Sequence, residues 1–251
     1  MTAEVVPTAA ALVIGNEILS GKVQETNSRD LALLLRRLGV RLETILVIPD
    51  DRRRIADAVS HLSKSYDWLF TSGGVGPTHD DVTIEAVADA FGVRACLDEG
   101  AVRLLRAHYG ERCTDGHLRM ALVPEGATLE TIASVRWPTV RMGNTFVLPG
   151  IPEVFRMKLA VVEAVVGRHT PFVSHAVYTN MDEGHLKPLL DAVVAAFPLV
   201  DVGSYPTWTD PRFRTKLTFD GQDEAAVSAA RGAFVASLPA GEPQWCEPAE
   251  L

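Results

Sequence analysis

The stretch that does most to limit how this chain can fold is Thr71-Ser72-Gly73-Gly74-Val75-Gly76-Pro77-Thr78-His79-Asp80-Asp81-Val82-Thr83-Ile84-Glu85. It follows the apolar run Trp68-Leu69-Phe70, which reads as a buried strand, and it opens a helical pattern that ends at Phe91-Gly92. A strand that turns into a helix through Gly73, Gly74 and Gly76 can adopt positive φ and approach another group closely, so several N–H groups can face one anion at the helix N-terminus. Asp80 and Asp81 then put carboxylates where bound phosphate is already negative, an arrangement that makes chemical sense with a divalent cation between them. A plainer reading stays open: the glycines make the turn, and Asp81 or Thr83 caps the helix. The G-x-G-x-x-G fingerprint is not met, because His79 stands at the third glycine and Val47-Ile48 runs into Pro49; an ordinary dinucleotide fold is disfavoured.

The chain before the turn alternates strands and helices. Ala9 to Ile14 is an apolar strand with the loop Gly15-Asn16-Glu17 at its carboxyl end, and a helix from about Thr26 carries Leu31, Leu34, Leu35 and Leu38 on one face up to Gly39. Val40 to Ile48 is a second strand, a helix opened by Asp50 or Asp51 turns Ile55, Val59 and Leu62 inward, and Asp67 to Thr71 is the third strand. This rhythm predicts an α/β fold, a doubly wound and mostly parallel sheet in which ligands collect at the carboxyl ends of the strands. Both special loops fall at such ends.

Between Val93 and Ala133 the pattern weakens; Glu99 to Tyr109 reads as helix, Val123 to Ala127 as a turn, and the rest as irregular connections. Thr139 to Met142 and Thr145 to Leu148 flank Gly143-Asn144, a two-residue hairpin turn. Pro152 starts a helix bearing Val154, Phe155, Leu159, Val162 and Val166. Composition shifts after Gly167-Arg168-His169-Thr170-Pro171, which divides the chain into residues 1–170 and a small α+β module over residues 171–251. That module reads as strand (Ser174 to Thr179), helix (Asp182 to Phe197), strands (Leu199 to Ser204 and Phe213 to Phe219) and helix (Glu224 to Leu238). The tail after Pro239 is rich in Pro and Glu and reads as loosely held.

Several function classes are excluded. A net charge of −8 with scattered basic residues argues against general nucleic-acid binding. No run approaches the roughly 18 apolar residues of a membrane span. Met1-Thr2-Ala3-Glu4 has no basic segment leading into a signal-peptide core, so a cytoplasmic location is expected. Cys96, Cys113 and Cys246 are too few and too dispersed for a disulfide framework or a C-x-x-C zinc site, and read as reduced, mostly structural thiols.

Gly15-Asn16-Glu17-Ile18-Leu19-Ser20-Gly21-Lys22 is not a P-loop, since five residues separate its glycines and Val23 replaces the Ser/Thr that would hold magnesium. Glu17 at the mouth of the first strand can serve a metal, a ribose hydroxyl or only solvent. Lys22 can meet a phosphate or lie on the surface, and Thr26-Asn27 can cap the helix or reach a ligand. His79 has no partner at a recognised spacing, and no Ser-His-Asp or Cys-His arrangement supports covalent catalysis. Tyr205 and Trp208, in Ser204-Tyr205-Pro206-Thr207-Trp208, can stack on a flat ring or pack a domain interface.

The set Gly15 to Gly21, Thr26-Asn27, Gly73 to Thr83 and Leu148-Pro149-Gly150-Ile151-Pro152 resembles the molybdopterin-binding (MoaB/Mog-like) family over roughly residues 9 to 168. Within that family it is similar to the N-terminal domain of CinA proteins and to the molybdopterin-binding-like domain of FAD synthases. Leu199 to Pro206 with Lys216-Leu217-Thr218 resembles the segment that follows this domain in FAD synthases, a module described as KH-like in CinA proteins. Here it lacks a G-x-x-G loop, so the KH-like or ferredoxin-like similarity is one of fold only. The resemblance implies a nucleotide pyrophosphatase that hydrolyses the diphosphate of FAD or ADP-ribose to release AMP, with divalent Co2+ or Mg2+ and with K+. It implies that Gly73, Gly74 and Gly76 cradle the diphosphate, that Asp80, Asp81 and Glu17 hold the metal, and that Lys22 and Thr78 steady the developing charge. Gly15, Asn16, Thr26, Asn27, Ser72, Pro149, Gly150 and Tyr205 complete the expected ligand site. A nucleotide or pterin ligand and a homo-oligomer, with a dimer favoured, follow from the same resemblance. Two alternatives stay open: a molybdopterin or nucleotide binder without turnover, and a Mog-like adenylyltransferase.

Overall fold

The computed structural model describes residues 5–248, so the reading of Met1 to Glu4 lies outside the described residues. Cα packing divides the chain into a unit ending at His169 and a unit beginning at Thr170. The first unit runs β1 (Thr8–Ile14), α1 (Asn16–Leu19), α2 (Asn27–Leu38), β2 (Arg41–Ile48), α3 (Arg52–Ser65), β3 (Trp68–Ser72) and α4 (Thr83–Ala90). It continues through β4 (Ala95–Leu97), α5 (Glu99–Tyr109), α6 (Asp115–Arg119), β5 (Leu122–Pro124), β6 (Thr128–Ile132), β7 (Val135–Met142), β8 (Thr145–Leu148) and α7 (Pro152–Val166).

Six strands form one sheet in the order β2-β1-β3-β8-β7-β6. β1 pairs in parallel with β2 and β3, and β3 in parallel with β8, while β8, β7 and β6 pair antiparallel. Helices cover both faces. Ala9 and Ala11 of β1 pack with the leucine stripe of α2 and with Phe155 and Val162 of α7; Ala10, Leu12 and Ile14 pack with Ile55, Val59 and Leu62 of α3 and Ala86 and Val87 of α4. The unbroken apolar run of β1 is therefore what a strand buried on both sides requires. Burial of a leucine such as Leu35, fully inaccessible in α2, is worth about 1.5–3 kcal/mol. Gly39 ends α2 in the left-handed region at φ 77°, and the Asp51 carboxylate caps α3 by accepting the Arg54 N–H at 2.8 Å.

Two expectations for this unit are corrected. Asn16-Glu17 belongs to the short helix α1 rather than to a loop. The segment from Val93 to Ala133 is not irregular: β4 and β5 form a two-stranded antiparallel sheet, and β6 is the edge of the main sheet. These strands are short and partly polar, and pairing gives them definition; the Arg141 guanidinium meets the Glu130 carboxylate at 2.7 Å across β6 and β7.

The second unit runs β9 (Val173–Thr179), α8 (Glu183–Ala196), β10 (Asp201–Pro206), β11 (Thr215–Gly221), α9 (Glu224–Ser237) and β12 (Trp245–Pro248). Its sheet has the order β10-β11-β9-β12 with antiparallel pairing throughout, the split β-α-β-β-α-β arrangement of ferredoxin-like modules. Val177, Leu217, Phe219, Leu186, Val227 and Phe234 form its core. The tail is not loose as far as Pro248. β12 pairs with β9, the Trp245 ring stacks on Tyr178 with centroids 4.4 Å apart, and the Tyr178 hydroxyl donates to Glu247 at 2.5 Å. Cys96 and Cys246 are exposed and Cys113 is half-buried, all three as free thiols, so the first two are not buried structural groups. Among the described residues no helix is long and apolar enough to cross a membrane.

Candidate functional site

The carboxyl ends of three adjacent parallel strands, β1, β3 and β8, meet at one edge of the first unit's sheet. They meet closely because Gly73 has no side chain: its φ is +109°, and a Cβ there would fall 2.1 Å from the Ile14 carbonyl oxygen. Its N–H donates to Leu148 O at 3.1 Å, and its own carbonyl accepts the buried Thr83 hydroxyl at 2.9 Å. The Thr83 N–H donates to Gly74 O at 3.0 Å, which pins the glycine turn to the start of α4. Asn27, buried at the start of α2, closes the arrangement from behind: its amide donates to Ser72 Oγ at 3.0 Å and to Gly150 O at 2.9 Å. Asn27→Ala leaves both acceptors without that donor, and a loss of about 1–3 kcal/mol is expected in denaturant unfolding followed by far-UV circular dichroism.

In front of these strand ends lies a cleft of about 590 Å³, within the range of small-molecule sites. Glu17, Gly73, Gly74, Gly76, Asp81, Arg119, Pro149, Gly150 and Lys158 are among the residues that line it. The Glu17 carboxylate lies over Gly15, where a Cβ would fall 2.6 Å from Oε1. Asp81 Oδ2 accepts the Thr78 N–H at 2.8 Å and the Thr78 hydroxyl at 2.5 Å, and it lies against Gly76, where a Cβ would sit 2.7 Å away. Arg119 Nη2 donates to Asp81 O at 3.3 Å and to Glu85 Oε1 at 3.1 Å. Lys158, only 4% exposed, donates from Nζ to Trp137 O and to Pro138 O. Burial of its ammonium pushes its pKa down to about 8.

The structure thus gathers Glu17, Gly73, Gly74, Gly76, Asp81, Pro149 and Gly150 at one cleft, with Asn27 and Ser72 buried behind it. Six other expected residues, Gly15, Asn16, Lys22, Thr26, Thr78 and Asp80, do not line it. Lys22 is exposed, and Thr78 serves as the hydrogen-bonding partner of the two aspartates. Asp80 points to solvent with its side chain 56% exposed; the Thr78 hydroxyl, at 2.6 Å, holds its carboxyl below the usual carboxylate range. Gly73 cannot offer its N–H to an anion, since Leu148 already accepts it, which leaves Gly74 and Gly76 for that role. Tyr205 is 56% exposed on β10 of the second unit. Among the described residues no three His, Cys, Asp or Glu side chains gather as a metal-binding group, so Glu17 is not joined with Asp80 and Asp81 in one ligand set.

Arg119 and Lys158 were not found from the sequence. Arg119 lies in the weakly patterned region. Lys158 did carry a signal: with Phe155 and Val162 it stands at i, i+3 and i+7 on the apolar face of α7, where a charged residue is out of place.

A family model described as probable molybdopterin binding domain matches residues 10–169, and one described as FAD synthase, middle domain matches residues 171–244. A probable FAD synthase of Caenorhabditis briggsae is 31% identical over 89% of this chain, which spans 48% of that relative's length. A protein of Archaeoglobus fulgidus is 32% identical over 86% of this chain and 92% of its own length. Among solved structures, the protein CinA of Thermoplasma acidophilum, described as having unknown function, matches with a TM-score of 0.59 at 28% identity, covering 64% of this chain and 99% of that one.

Proposed function

The chain belongs to the molybdopterin-binding domain family, and from that premise we propose that its first unit is a metal-dependent pyrophosphatase that hydrolyses the diphosphate of FAD or an ADP-ribose-type dinucleotide to release AMP. The observation that carries this reading is the cleft itself, in which the glycine turn and its acidic end, Asp81, share one wall at the carboxyl ends of β1, β3 and β8. The match of residues 171–244 to the middle domain of FAD synthase supports a flavin nucleotide as the ligand.

Gly74 and Gly76 let the diphosphate approach the backbone at the start of α4, where N–H groups favour an anion. A single carboxylate suits a divalent ion whose remaining ligands are phosphate oxygens and water, a usual manner of magnesium. Asp81, the carboxylate that lines the cleft, would hold cobalt or magnesium, which when bound polarises the phosphorus and lowers the pKa of water. Glu17, in the cleft wall, takes the proton of the attacking water. Arg119 keeps Asp81 and Glu85 in place through Nη2, which is engaged with both.

The expected result is AMP release from FAD or ADP-ribose by the purified chain with cobalt or magnesium, followed by chromatography, and none with EDTA. One observation favours a second reading, a nucleotide or molybdopterin binder without turnover: the family model matched by residues 10–169 is described as a binding domain. Tight binding of AMP or molybdopterin with FAD intact after long incubation would decide for the binder.

A further inference from the structure

Lys158 is a cation without a counter-ion. Its side chain is buried in α7, and among the described residues no carboxylate pairs with it. An ammonium has three N–H donors; those of Lys158 meet the Trp137 and Pro138 carbonyl oxygens, which leaves one. Burying a charge this way is costly, and an apolar residue of similar volume would serve packing at least as well. A methionine or leucine is what the apolar stripe of α7 calls for, yet a lysine stands there with its side chain in the wall of the cleft.

The other charged groups of the cleft are Glu17, Asp81, Glu85 and Arg119. Arg119 is engaged through Nη2 with Glu85 and the Asp81 carbonyl, and its Nε has no partner among the described residues. Lys22, the cation expected to meet the ligand, does not line the cleft. An anion entering the cleft therefore finds two cations with donors to spare, and of these Arg119 already has a carboxylate partner in Glu85 whereas Lys158 pairs with none among the described residues.

We propose that Lys158 is a phosphate-binding residue of this cleft, donating its remaining N–H to a phosphoryl oxygen of a nucleoside diphosphate ester. The inference rests on the pyrophosphatase reading for its ligand class but not for turnover. Two carbonyls hold the ammonium in place beforehand, so little side-chain freedom is lost when the phosphate arrives.

Calorimetry on the full chain with ADP-ribose in EDTA tests binding without hydrolysis, and the diphosphate ester keeps its charge between pH 7 and 9.5. Lys158→Met is expected to weaken binding roughly 10- to 100-fold at pH 7, the range of one charged hydrogen bond. Lys158→Arg is expected to retain most of the affinity and guards against a methionine variant that fails to fold. Wild-type affinity should fall as pH rises above about 8, by at most about tenfold per unit, because the folded amine loses its proton there. The methionine variant should be flat over the same range. Equal affinity in Lys158→Met and wild type, or an unchanged pH slope in the variant, overturns the proposal, as does failure of the wild type to bind ADP-ribose at millimolar concentration. A wild type that binds with this pH profile but releases no AMP with metal present sinks the hydrolase reading alone; turnover with equal affinity in wild type and Lys158→Met sinks the lysine alone.

Discussion

Asp81→Ala is expected to lower kcat/KM for AMP release by roughly 10²- to 10³-fold, the cost of deleting one group that stabilises charge in the transition state. The sequence presents Asp80 and Asp81 as equivalent, and the structure separates them. Asp81 faces the cleft beside Gly76, whereas Asp80 points to solvent and is tied to Thr78. Asp80→Ala should therefore cost about tenfold or less. Because Asp81 Oδ2 also anchors the Thr78 N–H and hydroxyl, alanine removes a turn contact along with the charge. Asp81→Asn separates the two effects, since its amide oxygen still accepts from Thr78 but carries no charge. If asparagine is as impaired as alanine, the charge is what matters; if it recovers most of the rate, the turn geometry does. Rates with FAD and ADP-ribose at saturating cobalt or magnesium, alongside thermal midpoints, give the answer, and an Asp81→Ala rate within twofold of wild type would falsify the assignment.

The parts of the fold that were legible in the sequence are those where local chemistry and tertiary burial agree. The stripe Leu31, Leu34, Leu35 and Leu38 with Gly39 after it announces α2, and Asp50 or Asp51 before Ile55, Val59 and Leu62 announces α3, because one periodicity sets both helix and core face. β6 and β12 were not legible because they are edge strands of four or five residues whose identity comes from a partner distant in the chain. Thr128-Leu129-Glu130-Thr131-Ile132 is defined by β7, and Trp245 to Pro248 by β9. The site was legible in its backbone and less so in its side chains. Glycines and prolines mark where three strand ends converge, since their conformational roles are local. Which carboxylate turns inward, and which cation joins it in the cleft, depends on α4, α6 and α7 packing around those ends.

Gly73→Ala is expected to be among the most destabilising single substitutions in the first unit. The new methyl would sit 2.1 Å from the Ile14 carbonyl oxygen, well inside van der Waals contact, and at φ +109° an L side chain is strained even in open space. Relief is hard to find. Gly73 is tied through its N–H to Leu148 at the end of β8 and through its carbonyl to Thr83 at the start of α4, while Gly150 packs so near that a Cβ there would lie 3.3 Å from the Gly73 Cα. Moving the turn away from Ile14 therefore breaks these ties. Overpacking of about 1–3 kcal/mol and left-handed strain of about 1–2 kcal/mol together suggest a loss of roughly 4 kcal/mol, and at about 2–4 °C per kcal/mol the midpoint should fall by roughly 8–16 °C. Gly21→Ala is the control: Gly21 has φ +71° and nothing within 4 Å of the point where a Cβ would stand, so only the strain applies. If the two variants melt alike in the full chain, close approach is not the constraint at Gly73. If Gly73→Ala falls much further, the glycine of the turn acts first by letting β1, β3 and β8 end together, and the anion site is a consequence of that convergence.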